Sequence, residues 1–187
     1  KMKKILQIFK EDNKIGYLKA NRFYSLKSIF KIPIIRLFGN LLLTIINKFS
    51  SGYWTINDPT NGYTAIKSSY CKKLNFKLIK KNFFFESDML FHLNSLNAKV
   101  IDLNVESKYD PNNSSNLIIH KIIPYFLKNH IFNFVKRIYS NKILFLLYLI
   151  SAFVFLISVL GNIEYMYTFF SLLVIITIFY DISKEPK

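Results

Sequence analysis

Cysteine is nearly absent: Cys71 stands alone, so no disulfide forms within the chain and the sequence suits a reducing compartment. Cys71 reads as a small residue filling space. Acidic residues are scarce as well, with 11 Asp and Glu against 26 Lys and Arg. The three histidines, His92, His120 and His130, have neither ligand spacing nor an acidic cluster beside them, which argues against a zinc site. There is no Gly-rich phosphate loop, no nucleophile elbow and no internal repeat. The apolar run Ile5 to Phe9 behind Lys1-Met2-Lys3-Lys4 is too short to be the core of a signal peptide.

What the chain does have is charge and apolar length, kept apart. Positions 143–187 hold Lys184 and Lys187 against Glu164, Asp181 and Glu185, a net of −1. The whole chain carries +15, so everything before Ile143 carries +16. A basic part of that size implies an anionic partner, either nucleic acid or a phospholipid surface. Nucleic acid is disfavoured, because most of the 19 Phe and 12 Tyr lie in apolar runs and are not interleaved with the basic residues. The membrane is favoured by the tail. Ile143 to Leu160 is an unbroken uncharged run, Gly161-Asn162-Ile163-Glu164 interrupts it, and a second uncharged run extends from Tyr165 to Tyr180. As helices these segments measure about 24–27 Å, a little short of a hydrocarbon core of about 30 Å. Local thinning and flanking apolar residues absorb the difference.

The flanks predict an orientation. Lys128, Lys136, Arg137 and Lys142 precede the first span, Lys184 and Lys187 follow the second, and the loop between has no Lys or Arg. Both ends and the globular part are therefore expected in the cytoplasm. Two more stretches have helical spacing. From Pro33 onward, Ile34, Phe38, Leu41, Ile45 and Phe49 recur on one side, with Arg36, Asn40, Thr44 and Asn47 opposite. From Lys121 to Tyr139, Ile123, Leu127, Ile131, Phe134 and Ile138 oppose Asn129, Asn133, Lys136 and Arg137. Each apolar stripe is expected either against a protein core or in the membrane interface.

The remainder reads as mixed α/β. Strands are expected over Ile15 to Ala20 and Val100 to Glu106, with a short extended stretch over Gly52 to Asn57. Ser87 to Asn97 is expected to be helical, burying Met89, Leu90, Leu93 and Leu96. Asp58-Pro59-Thr60-Asn61-Gly62 is dense in turn signals, and Tyr109 to Asn116 reads as a polar loop.

These segments resemble a family. Lys19-Ala20-Asn21-Arg22-Phe23, Pro33 with Arg36-Leu37-Phe38-Gly39-Asn40, Ser51-Gly52-Tyr53-Trp54, Asp58 to Tyr63, and Phe84-Phe85-Glu86-Ser87-Asp88-Met89-Leu90 occur in that order. The series is similar to the second half of family-2 glycosyltransferases of the dolichyl- or undecaprenyl-phosphate sugar transferase type. It covers residues 1–140, with Ala20 where the family usually has Gly. The resemblance implies a Rossmann-like nucleotide-sugar transferase domain, here incomplete, followed by two transmembrane helices. Its parts are the catalytic half over 1–118, a juxtamembrane amphipathic helix over 119–142 and a hairpin over 143–183. It also implies a nucleotide-sugar donor, a polyprenyl-phosphate acceptor, inversion at the anomeric carbon, and a divalent metal (Mg or Mn) on an Asp-x-Asp motif. No Asp-x-Asp occurs in this sequence, which starts on Lys where that motif would just have ended. The chain is therefore expected to be a fragment, inactive by itself, with the metal ligands outside it.

The residues matching the family's motifs inherit expected roles. Arg22 and Arg36 would hold the acceptor phosphate, a task suited to the guanidinium fork. Asp58 would position donor or acceptor, or merely cap its turn. Asn21, Thr60, Asn61 and Gly62 would position substrate. Glu86 and Asp88 would contact the acceptor or, for a hydroxyl acceptor, supply the general base. The alternative is a non-catalytic membrane protein, derived from a glycosyltransferase, that scaffolds envelope glycan assembly.

Overall fold

The computed structural model describes residues 2–30, 32–106, 119–161 and 163–187. The polar loop expected over Tyr109 to Asn116 and the domain boundary at 118 lie outside these residues. The chain is mixed α/β. It begins with α1 (Met2–Glu11), which buries no residue, and enters β1 (Ile15–Asn21), which buries all of its residues. The short α2 (Leu26–Ile29) leads to the long α3 (Ile34–Ser51). Beyond an irregular segment come β2 (Thr64–Ile66), α4 (Ser68–Lys73), α5 (Phe85–Ser95) and β3 (Lys99–Asn104). Three longer helices close the chain: α6 (Ile119–Ser140), α7 (Lys142–Gly161) and α8 (Glu164–Ser183).

The sheet has the order β2-β1-β3, with β1 central, antiparallel to β2 and parallel to β3. One face of it packs on α5. Tyr17 and Val100 from the strands meet Met89, Leu90 and Leu93 from the helix, and Tyr53, Ile56, Leu74, Ile79 and Ala98 complete the cluster. The chain turns out of α5 through Asn97, whose positive φ of 52° lets the Ala98 N–H reach back to the Leu93 carbonyl.

One expectation is corrected here. Gly52 to Asn57 forms no strand: the Gly52 N–H closes α3, and those of Tyr53, Thr55 and Asn57 go to side chains. Ser51 Oγ accepts from Tyr53 N, Glu185 Oε1 from Thr55 N, and Asp102 Oδ2 from Asn57 N. The strand in this region is β2, further along, whose three residues are too few for alternation to be legible.

Gly52 itself has φ 77°, closing α3 with its N–H on the Lys48 carbonyl. A Cβ there would stand 3.0 Å from both Arg137 Nη1 and Asn94 Nδ2. Gly52→Ala is therefore expected to lower stability by about 1–3 kcal/mol, read by thermal unfolding in detergent.

The two amphipathic helices are packed inside out. On α3, Thr44 and Asn47 are buried, whereas Phe38 is 69% and Ile45 55% exposed. Thr44 Oγ1 donates to the carbonyl of Asn57, outside the helix, so the polar side is the one that meets the protein. On α6, Asn129, His130, Asn133 and Arg137 are buried, whereas Ile123, Leu127 and Ile131 are exposed. Phe49 and Ile138 depart from this pattern. Phe49 turns inward against Trp54 and Phe134, and Ile138 is buried. A soluble domain usually buries the apolar stripe of a surface helix, whereas α3 and α6 leave much of theirs exposed.

α7 and α8 are both long and apolar enough to cross a membrane. They pack on each other, and Ser151, Val154, Ser158 and Thr177 are among their buried positions, small residues of the kind that let two such helices approach. Each hydroxyl is satisfied by the carbonyl four residues earlier in its own helix.

Besides the packing of α7 on α6 through Phe134–Tyr148 and Tyr139–Phe145, a guanidinium ties the hairpin to the rest of the chain. Arg137 of α6 forms a bidentate pair with Asp181 in the last turn of α8, at 2.6 and 2.8 Å. Through Nε and Nη2 it also donates to the Phe49 carbonyl near the end of α3, at 3.0 and 2.6 Å. Arg137 is 9% and Asp181 1% exposed, so this is a dry contact joining three helices. Just beyond α8, Glu185 accepts from the Thr55 N–H and hydroxyl.

Candidate functional site

The C-terminal end of β1 is the point on which three of the sequence motifs converge. Backbone pairing fixes the frame: Lys19 lies between Thr64 of β2 and Asp102 of β3, and Asn21 stands beside Asn104. Where β1 ends, the chain is captured by Asp58. Its carboxylate accepts from Arg22 N at 3.0 Å, Arg22 Nε at 2.7 Å and Arg22 Nη2 at 2.8 Å. Asn61 Nδ2 adds a further donor at 3.3 Å, and Asp58 is wholly buried. Asp58 thus does more than cap its turn. It clamps the turn to the strand end and fixes the Arg22 fork in a planar, two-bond geometry.

Asn21 and Asn61 act in the same frame. Asn21 donates to Asp102 Oδ2 at 2.8 Å and accepts from Phe23 N at 2.7 Å. Asn61 accepts from Tyr63 N at 3.0 Å besides donating to Asp58. Thr60 is half-buried and Gly62 exposed on the same turn. A Cβ on Gly62 would stand 3.5 Å from Glu86 Oε1, which places the first turn of α5 against the Asp58 turn. Glu86 is half-buried and makes no hydrogen bond or ion pair among the described residues. It is the acidic side chain best placed to receive a donor from outside.

Asp88 parts company with Glu86. Two residues along a helix amount to more than half a turn, so the two carboxylates leave on opposite sides. Asp88 is buried, accepting from Lys80 N and Asn133 Nδ2, each at 2.8 Å, with His92 Nε2 3.7 Å away. It joins α5 to α6, and none of these partners belongs to the Asp58 turn. Arg36 is half-buried in the first turn of α3, directly before the outward apolar face. His130 bonds Ser50 Oγ through Nδ1 at 2.7 Å and packs edge-on to Phe84, and burial pushes its pKa down to about 4. Among the described residues no three His, Cys, Asp or Glu side chains gather as a metal-ligand set. The divalent ion implied by the family resemblance therefore finds no fitting group here.

Two residues of this cluster were assigned no role from the sequence, although Lys19 opens the Lys19-to-Phe23 motif. Lys19 is 0% exposed, yet its Nζ has no hydrogen-bond partner among the described residues. Burial pulls its pKa down to about 8, opposed by the charges of Glu86, Asp58 and Asp102, with Arg22 adding to the fall. Asp102, half-buried beside it, has its pKa pushed up to about 6 by burial, against the hydrogen bonds from Asn57 and Asn21. Its Oδ1 is buried and likewise without a partner among the described residues. Only the β1–β3 register brings these two together, from distant parts of the sequence.

No family model, curated protein or solved structure matches the chain.

Proposed function

We propose that this chain is the membrane-anchored C-terminal part of a family-2 glycosyltransferase, transferring a sugar from a nucleotide donor to a polyprenyl phosphate at the cytoplasmic face. The domain would be an incomplete Rossmann-like fold, and the hairpin would keep both termini cytoplasmic. The observation that carries this reading is the meeting of Asn21-Arg22, Asp58 to Gly62 and Glu86 in one cluster, on a scaffold whose α3 turns its apolar face outward. A ligand shared by motifs far apart in sequence requires them to converge in this way. The inside-out α3 and α6 would float that place at headgroup level, where a lipid phosphate resides.

In this reading Arg22 and Arg36 hold the acceptor phosphate. Its oxygen is already an anion, so it attacks the anomeric carbon without a base, and the leaving nucleotide departs from the opposite side. Asp58 is a positioning residue, because it fixes Arg22. Glu86 sits on the rim and receives a sugar hydroxyl or, were the acceptor an alcohol, its proton. No step is routed through a metal, for which the described residues supply no ligand set.

The decisive experiment is transfer of radiolabelled sugar to polyprenyl phosphate by membranes carrying this chain, with and without a supplied N-terminal nucleotide-binding half. A structural test accompanies it. Nitroxides placed one at a time at Phe38 and Ile45 of α3 are expected to be relaxed by oxygen dissolved in the bilayer. A label at Lys10 of α1, which is exposed, serves as the water-facing control. Equal relaxation at all three positions would remove the interfacial placement of α3.

A further inference from the structure

We propose that the space between Lys19 and Asp102 is a subsite for a sugar hydroxyl, an assignment that rests on the sugar-transfer reading above. β1 and β3 run parallel with Lys19 directly beside Asp102, so the two side chains leave the same face of the sheet. The partners they have are unequal. Asp102 Oδ2 takes bonds from Asn21 Nδ2, Asn57 N and Asn57 Nδ2 at 2.8, 3.2 and 3.2 Å. Asp102 Oδ1 and Lys19 Nζ, both buried, take none among the described residues, and no ion pair joins them. A buried ammonium and a buried carboxylate oxygen left in this state are each costly, so a third group completes them.

The chemistry of that group follows from what each atom needs. Lys19 Nζ has only protons to give, and Asp102 Oδ1 as a carboxylate only lone pairs. The missing group must accept from one and donate to the other, which a hydroxyl does. A phosphate is chiefly an acceptor and brings negative charge of its own, so it would face the carboxylates of Asp58, Glu86 and Asp102 with the cations Lys19 and Arg22 to offset them. A compact ammonium with three rotatable donors also suits a single oxygen better than a planar fork does. Residues around the pair reach the surface. Asp102 is half-buried, Glu86 is half-buried and Gly62 exposed, and the last two face each other at the rim.

The test uses the whole chain in lipid nanodiscs with lysines labelled at 13Cε. The Lys19 resonance is assigned by its loss in Lys19→Met and, should that variant not fold, in Lys19→Arg. Methyl glucoside, methyl galactoside, methyl mannoside, N-acetylglucosamine and inorganic phosphate are then titrated separately. At least one sugar is expected to move the Lys19 resonance saturably, with affinity falling about tenfold in Asp102→Asn, while phosphate leaves it in place. If no sugar moves it, the pair is bridged by water and the subsite is wrong. A shift by phosphate as large as that by sugar overturns it equally. The transfer assay separates the two levels: sugar binding at Lys19 without transfer retains the subsite and removes the transferase reading, and transfer without a Lys19 shift does the reverse.

Discussion

Arg137→Ala is expected to lower the stability of the chain by about 3–5 kcal/mol, the typical result of stranding one member of a buried ion pair. Asp181, 1% exposed, would lose both of its charge-assisted bonds, and the Phe49 carbonyl would lose two donors. The site should register the damage too. Phe49 stands at the end of α3, Gly52 packs against Arg137, and the segment from Gly52 leads into the Asp58 turn. The pair need not be stabilising in net terms. Replacing both charges by apolar residues of similar volume, Arg137→Met with Asp181→Leu, is expected to recover most of the loss, because neither charge is then left dry and alone. Denaturant unfolding in detergent gives both values. A single substitution that costs no more than a surface change, about 0.5 kcal/mol, would show that the three helices are held together by something else.

The second large effect is expected at Asp58. Asp58→Ala removes the buried acceptor shared by Arg22 and Asn61 and releases the guanidinium from its fixed plane. Preorganised charge is worth about 10²–10³ in turnover when a single donor is removed from an active site, and a loss of sugar transfer on that order is expected here. Arg22→Lys is informative beside it. Lysine keeps the charge but loses the two-bond fork, so on this reading it raises KM for the lipid acceptor without restoring turnover. Were Asp58 merely a turn cap, Asp58→Asn would retain transfer, because the amide oxygen still accepts from Asn61 and from the Arg22 N–H.

The sequence made the local elements legible where one physical signal dominated. β1 and β3 emerged from short runs of apolar and β-branched residues, and α5 from Met89, Leu90 and Leu93 at helical spacing. The two long apolar helices were plain from length alone. The apolar stripes of α3 and α6 were equally plain, but the side they face was not, because periodicity is identical whether the apolar side meets protein or lipid. Thr44, Asn47, Asn129 and Asn133 decide the matter by being buried, and burial is a tertiary fact.

The candidate site was legible as motifs and illegible as pairings. Asn21, Arg22, Asp58 and Glu86 stood out, but the sequence could not separate Glu86, on the rim, from Asp88, turned toward Asn133. Arg137 read as one more positive flank because its partner lies 44 residues away on another helix. Lys19 was read only as the opening residue of a motif, and its burial on the central strand between β2 and β3 is a tertiary fact.

The most direct test of the proposed activity remains sugar transfer to polyprenyl phosphate by membranes carrying this chain together with a nucleotide-binding N-terminal half. Label entering the lipid only when both halves are present, and lost in Asp58→Ala, is the expected result. No transfer from any nucleotide sugar by a folded pair, or transfer undiminished in Asp58→Ala, would contradict it.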